Sequence, residues 1–206
     1  TWVSAPHYTP PYNIAADGHG DLGARFVHLN RDGRIDMVYH RAPGDRYLRK
    51  GAYLNNGKGW IYYHPYTPPY YIAADGHRDL GARLVDVNGD GLVDFVYHRW
   101  IRSKVRAKGA YINTGNGWRY DERYIPPYHI AADGYRDMGA RFIDVNGDGS
   151  ADFVFNRSVN SKLSLKGAYL GCGDAHEKLC WRRSSYCSSS RDVRNHCHKT
   201  CSSCPS

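Results

Sequence analysis

Three copies of one pattern, 58 residues apart, limit what this chain can fold into more than any other feature. Trp2, Trp60 and Trp118 mark the period (60 − 2 and 118 − 60 both give 58). Ile-Ala-Ala-Asp-Gly begins at Ile14, Ile72 and Ile130. Pro-Pro-Tyr ends at Tyr12, Tyr70 and Tyr128, and Lys-Gly-Ala-Tyr starts at Lys50, Lys108 and Lys166. No insertion or deletion separates these landmarks. A fixed period of this length marks supersecondary units that each bury an apolar face on the next. The copies are cut as 1–58, 59–116 and 117–170, and 171–206 forms a separate tail.

Each copy reads as short strands between turns. In copy 2, Trp60 to Tyr66 is aromatic and alternating, as a strand is. Pro68-Pro69 cannot donate to a ladder and favours extended backbone. Ala82 to Val87, Leu92 to His98 and Gly109 to Asn113 read as three further strands, and 113–117 (Asn-Thr-Gly-Asn-Gly) as a turn. The 18 tyrosines and five tryptophans suit strands. No stretch combines a helical period with caps. The expected fold is all-β, with three four-stranded repeats of the kind seen in propeller blades or stacked β-arrays.

Between the second and third strands of copies 2 and 3 lies a nine-residue loop, Asp86 to Asp94 and Asp144 to Asp152. Asp86, Asn88, Asp90 and Asp94 bring side-chain oxygens at positions 1, 3, 5 and 9, and the Leu92 carbonyl falls at position 7. Asp144, Asn146, Asp148, Asp152 and the Ser150 carbonyl repeat the set. Three carboxylates in one turn repel each other unless a hard cation such as Ca2+ joins them. An EF-hand is excluded, because position 12 is Tyr97 or Phe155 instead of glutamate and the flanks are strand-like. The competing reading is an Asx-rich turn without metal. Copy 1 departs from the pattern: His28 and Arg31 replace an aspartate and a glycine. Asn30, Asp32, Arg34 and Asp36 remain as a degenerate third site. Two sites are therefore expected, in a structural role, since no neighbouring base suggests catalysis.

The net charge is +8, but the basic residues are scattered, so a solvated basic surface is expected and nucleic acid is not. No run approaches the roughly 18 apolar residues of a membrane span. The absence of an initiator methionine at Thr1 suggests a processed or partial polypeptide. All six cysteines lie from Cys172 to Cys204, which points to a stapled module in an oxidising, extracellular setting. Their pairing is open among 15 arrangements. Asn156-Arg157-Ser158 is a glycosylation sequon, with Asn156 as acceptor. His7, His19, His40, His64, His77, His98 and His129 are scattered and read as packing or surface residues. Asp75 with Asp79, and Asp133 with Asp137, read as turn residues before paired catalytic carboxylates. No nucleophilic triad can be assembled, so no enzyme is expected. Tyr70, Tyr128 and Trp100 read first as packing and second as sugar-stacking platforms. Hydroxylated, glycosylated Pro-Pro-Tyr is a further expectation.

The acidic loop, the Phe-Val-Tyr-His strand after it and the Ala-Tyr-Leu-Asn-Asn-Gly strand resemble the FG-GAP/VCBS repeats of integrin-type β-propellers, over residues 1–170. That resemblance implies propeller-type blades with calcium at the rim in an extracellular adhesion or binding protein. The tail, with Cys172-Gly173-Asp174 and the ending Cys197-His198-Lys199-Thr200-Cys201-Ser202-Ser203-Cys204, resembles the ShKT domain. It implies Cys172–Cys204, Cys180–Cys197 and Cys187–Cys201 disulfides and an Asp174–Lys199 pair. Arg191 and Asp192 stand where that family's toxins carry Lys-Tyr, so channel block is not expected. A stapled cap or spacer is the preferred reading of 171–206.

Three copies are fewer than the four to eight blades of ordinary propellers. The pattern opens on the Trp2 strand, which is therefore a candidate assembly edge: it completes copy 3 of its own chain or of a neighbour. The functional expectation is a non-enzymatic, secreted, calcium-binding structural protein that self-assembles into an extracellular filament or coat. The alternatives are a carbohydrate-binding or adhesion module recognising extracellular glycans, and an accessory domain of a larger enzyme. The expected partner is the protein itself, with no membrane insertion.

Overall fold

A computed structural model describes residues 1–16, 20–42, 49–74, 78–101, 106–132, 136–160, 163–171 and 182–183. All six cysteines, Asp174, Arg191, Asp192, Lys199, His19 and His77 fall outside them, and with them the disulfide readings; of the ShKT-like segment 171–206 only Gly171 and Arg182–Arg183 are described. Asp75 and Asp133 also fall outside.

The protein is all-β. After a three-residue 3-10 turn (Pro6–Tyr8) comes a small hairpin, β1 (Ala15–Ala16) with β2 (Gly20–Asp21). β3 (Ala24–Val27), β4 (Asp36–Arg41), β5 (Arg49–Asn55) and β6 (Trp60–Tyr62) then form an antiparallel meander. A second hairpin, β7 (Ala73–Ala74) with β8 (Arg78–Asp79), leads to the second meander: β9 (Ala82–Val85), β10 (Asp94–Trp100), β11 (Arg106–Asn113) and β12 (Trp118–Tyr120). A third hairpin, β13 (Ala131–Ala132) with β14 (Arg136–Asp137), leads to β15 (Ala140–Ile143), β16 (Asp152–Asn160), β17 (Leu163–Leu170) and β18 (Arg182–Arg183). None of these sheets closes on itself. Among the described residues, no helix is long and apolar enough to cross a membrane.

The sheets run in a different phase from the sequence repeat. Trp60 and Trp118 end a meander instead of starting one, because Asn55 pairs with Trp60 and Asn113 with Trp118. The strand expected from Trp60 to Tyr66 stops at Tyr62. Pro65 in the next turn has no N–H for a ladder, and His64–Tyr66 closes as a 3-10 turn instead. The strand expected to Val87 ends at Val85, since the Val87 N–H turns away to the Asp94 carboxylate. The strand expected from Leu92 to His98 runs from Asp94 to Trp100, and that expected from Gly109 begins at Arg106. The strand read at Trp2 is absent: residues 1–5 carry no strand and Trp2 is wholly exposed. Trp60 and Trp118 are strands because β5 and β11 lie beside them. No such partner stands beside Trp2 among the described residues.

The apolar core lies between successive meanders as well as within them. Leu29, Val38 and Ala52 of the first meander cluster with Tyr66 and Ile72 of the connection and with Ala82 and Phe95 of the second. Val87, Val96, Ala110 and Ile112 cluster with Tyr124 of the next connection. The central strands β4 and β10 are accordingly buried on both faces over most of their length. The hairpin that begins each later copy docks edge-on against the preceding meander. β7 pairs parallel with β4, Arg41 opposite Ala73, and β13 with β10, Arg99 opposite Ala131.

This docking explains two sequence motifs. The Pro-Pro-Tyr tyrosines stack on the aromatic of the meander that follows: Tyr12 on Tyr39 at 4.0 Å, Tyr70 on Tyr97 at 4.1 Å and Tyr128 on Phe155 at 4.6 Å. Each of these aromatic side chains of the meander also lies close against the glycine of Lys-Gly-Ala-Tyr. A Cβ at Gly51 would fall 2.6 Å from the Tyr39 hydroxyl oxygen, and at Gly109 or Gly167 2.6 Å from a ring carbon of Tyr97 or Phe155.

Candidate metal loops

The three nine-residue loops are held by one shared fixture. The aspartate at position 9 opens the central strand, is fully buried, and accepts two backbone N–H groups. Asp94 takes Val87 N–H on Oδ2 (3.0 Å) and Asn113 N–H on Oδ1 (2.8 Å). Asp36 takes Leu29 (3.0 Å) and Asn55 (2.9 Å), and Asp152 takes Val145 (2.9 Å) and Gly171 (2.7 Å). The side chain thus staples the start of the loop to the end of the third strand of its meander. The amides it holds escaped sequence reasoning because a backbone N–H carries no residue signature.

In loops 2 and 3 the remaining acidic oxygens curl over backbone amides. Asp86 accepts from Gly89 (2.7 Å) and Gly91 (2.8 Å), and Asp90 accepts from Leu92 (2.8 Å) and from the Asn88 amide (3.0 Å). Asp144 accepts from Gly147 (2.7 Å) and Gly149 (3.0 Å), and Asp148 from Ser150 (2.8 Å) and Asn146 (2.7 Å). Gly89, Gly91, Gly147 and Gly149 all have positive φ (75°, 84°, 79° and 90°), which this wrapping requires. The structure therefore brings Asp86, Asn88, Asp90 and Asp94 into one turn, and likewise Asp144, Asn146, Asp148 and Asp152. No three acidic, histidine or cysteine side chains among the described residues stand converged as a ready cation cage. Burial, with Asp90 and Asp86 nearby, pushes the Asp94 carboxyl up to about 7 against the pull of its two amides. Asp36 is also raised by burial. The Asp148 carboxyl is held low, by the Ser150 amide first and then by Asn146.

Charge balance separates the loops. In loop 1 the Arg34 guanidinium stands 3.3 Å from Asp32 Oδ2, and His28 Nδ1 meets the Arg34 carbonyl at 2.9 Å. The Arg34 carbonyl assigned to a ligand position is thus taken by an imidazole. The six carboxylates of loops 2 and 3 form no ion pair with any described side chain. An all-oxygen donor set whose carboxylates are not ion-paired suits a hard divalent ion. Each carboxylate keeps unused lone pairs beside the amides it accepts. The residues of loops 2 and 3 fit Ca2+, and those of loop 1 do not.

The loops also touch each other along one end of the sheets. Asn113 Nδ2 donates to the Leu29 carbonyl (2.8 Å), and the Arg31 guanidinium to the Asp90 carbonyl (2.7 Å), which join loops 1 and 2. Ala151 N–H donates to the Asp86 carbonyl (2.9 Å), which joins loops 2 and 3.

Of the other candidates, the aspartates and the buried histidines and tyrosines that the structure describes are engaged in ion pairs and packing, while His7 and His64 are exposed. Asp79 and Asp137 each accept a forked guanidinium, from Arg83 and Arg141 at 2.7 Å, and cap the Gly81 and Gly139 amides. Asp21 and Arg25 repeat the arrangement. His40, His98 and His129 are buried, and the rings of Tyr70 and Tyr128 are stacked within the fold. Trp100 is 46% exposed and stands edge-on to His129 at 4.9 Å. Asn156 is exposed on β16. A scan against protein-family models finds no match for the chain, and a search of curated proteins finds none.

Proposed function

We propose that the chain is a calcium-stabilised, non-enzymatic structural protein of the extracellular space. Its four-stranded meanders act as propeller-type blades of the FG-GAP/VCBS kind, and it assembles with its own copies through blade-to-blade contacts. One observation carries the calcium reading. The loop that has lost its first aspartate pairs a remaining one with Arg34, whereas the three carboxylates in each of loops 2 and 3 form no ion pair with a described side chain; the Arg31 guanidinium reaches loop 2 only at the Asp90 carbonyl. A bound ion there supplies the missing positive charge. Asp86, Asn88, Asp90, Asp94 and the Leu92 carbonyl would hold one ion, and Asp144, Asn146, Asp148, Asp152 and the Ser150 carbonyl another. Because the loops also touch one another, an ion in either loop steadies the row of meanders and not one strand pair alone. Negative-stain electron microscopy with calcium and with chelator tests the whole reading. Assemblies that form in calcium and disperse in chelator are expected, and a dispersed monomer in both would overturn it.

A second reading, glycan binding, draws on Tyr62 and Tyr120. These occupy equivalent positions 58 residues apart (120 − 62) and are 51% and 52% exposed. Half-exposed aromatics in a row are platforms for sugar rings. Binding of a dispersed monomer to a glycan array, lost on Tyr62→Ala and Tyr120→Ala, would favour it.

A further inference from the structure

The chain makes the same junction twice, and the first copy of the docking element is left without a receptor. At the first junction Ile72 N–H donates to the His40 carbonyl and Ala42 N–H to the Ala73 carbonyl, both at 2.8 Å, while His40 Nδ1 donates to the Pro68 carbonyl at 2.7 Å. At the second, Ile130 N–H donates to the His98 carbonyl at 2.8 Å, and His98 Nδ1 meets the Pro126 carbonyl at 2.7 Å. Both junctions are dry: Ile72, Ala73, Ile130 and Ala131 are all at most 3% exposed.

The N-terminal copy is already folded for the same use. β1 and β2 pair in the same register as the later hairpins, Ala15 opposite Asp21 as Ala73 is opposite Asp79. Leu22 N–H closes on the Ile14 carbonyl at 3.0 Å, as Met138 does on Ile130 at 3.2 Å. Tyr12 makes its stack on Tyr39. Yet Ile14 is 47% exposed, and among the described residues β1 pairs with β2 alone. At the far end of the row, β16 carries the receptor positions. Asn156 and Arg157 stand 58 residues after His98 and Arg99 (156 − 98 and 157 − 99). His40 and His98 are 4% and 5% exposed beneath their docked segments, whereas Asn156 is exposed.

We infer that β1 of one copy docks on β16 of a second copy, with Ala15 opposite Arg157, so that two chains join head to tail through the junction each makes twice within itself. Ile14 then takes the place of Ile72 and Ile130, and its N–H meets the Asn156 carbonyl. The contact is heterologous, so it yields a ring if the rotation closes and a filament if it does not. Two copies bring six meanders, inside the usual range of four to eight for propellers, and three bring nine. Asn156 heads the glycosylation sequon, so this junction requires an Asn156 side chain that carries no glycan.

This inference rests on the self-assembly reading above and supplies its geometry. Light scattering behind size exclusion, on the full chain in calcium over a concentration series, tests it. Association of the wild type is expected. Ile14→Asp should weaken it at least about 100-fold while leaving the monomer's melting temperature unchanged, because Ile14 is exposed. Asn156→His, which installs the residue used at both internal junctions, should tighten it several-fold. Discrete dimers lost on Ile14→Asp would support this junction and overturn the filament reading. Assemblies indifferent to both substitutions would overturn this junction and leave self-assembly standing. A wild-type monomer at every concentration would overturn both.

Discussion

Asp36, Asp94 and Asp152 do the same work in three loops of different charge, which makes this position the place to separate the backbone staple from the metal. Asparagine there keeps one acceptor and sets an amide N–H against a backbone N–H, leaving one buried donor unmade, at a cost of about 1–3 kcal/mol. Asp36→Asn and Asp94→Asn should therefore destabilise the chelated protein alike in calorimetry. Only Asp94→Asn should also reduce the gain in stability on adding calcium. Equal calcium responses of the two variants would contradict the assignment. Gly109 is the second residue to test. Its missing Cβ leaves room for Tyr97, whose ring stacks on Tyr70 at 4.1 Å. Gly109→Ala should cost about 1–3 kcal/mol by overpacking, read by denaturant unfolding. The loop ligands were legible in the sequence because carboxylate spacing is a pattern of side chains. The glycine of Lys-Gly-Ala-Tyr was visible only as a repeat, since its reason is a ring on the neighbouring strand.

The two-residue hairpins are the elements that link one meander to the next. Reading the sequence for period-two runs missed them, because two alanines between a turn and a glycine-rich bend carry no alternation. Their weight lies in docking. Ile72 is buried at the junction and Ile14 is not, so identical substitutions should differ. Ile72→Ala should cost about 2–5 kcal/mol as a cavity in a packed interface. Ile14→Ala in the monomer should stay within about 0.5 kcal/mol. The same junction should be acid-sensitive. His40 Nδ1 must be the protonated nitrogen, since the Pro68 carbonyl only accepts, and Nε2 is buried without a partner. Burial first, and the charge of Lys50 after it, hold the His40 pKa below its ordinary value of 6.5, and Tyr71 packs edge-on at 4.7 Å. The neutral form is favoured in the folded state. That stability is full above pH 6.5 and is lost as pH falls towards the depressed folded value, by at most about 1.36 kcal/mol per pH unit. His40→Asn should flatten this acid limb in a series of melting temperatures, and an unchanged limb would contradict it.

At the scale of the molecule, the period predicted the number of units but not their phase. Tryptophan landmarks suggested that each unit starts at a tryptophan strand. Hydrogen bonding instead puts Trp60 and Trp118 at the end of a meander and lets each copy's hairpin cross to the meander before it. Phase is set by which strand edge has a neighbour, and a cyclic repeat cannot show that. The crossing joins the three meanders into one row, with the acidic loops in contact along one end. Calcium at two of those loops is the central claim. At extracellular affinities, with a dissociation constant on the order of 10⁻⁴–10⁻³ M, about 1 mM calcium adds roughly 0.4–1.4 kcal/mol per site. The most direct measurement is the stoichiometry of calcium binding to the chelator-stripped chain by equilibrium dialysis at millimolar free ion. Two ions per chain are expected, falling to one in Asp86→Asn and in Asp144→Asn and unchanged in Asp32→Asn. No saturable binding, or stoichiometry indifferent to Asp86 and Asp144, would contradict it.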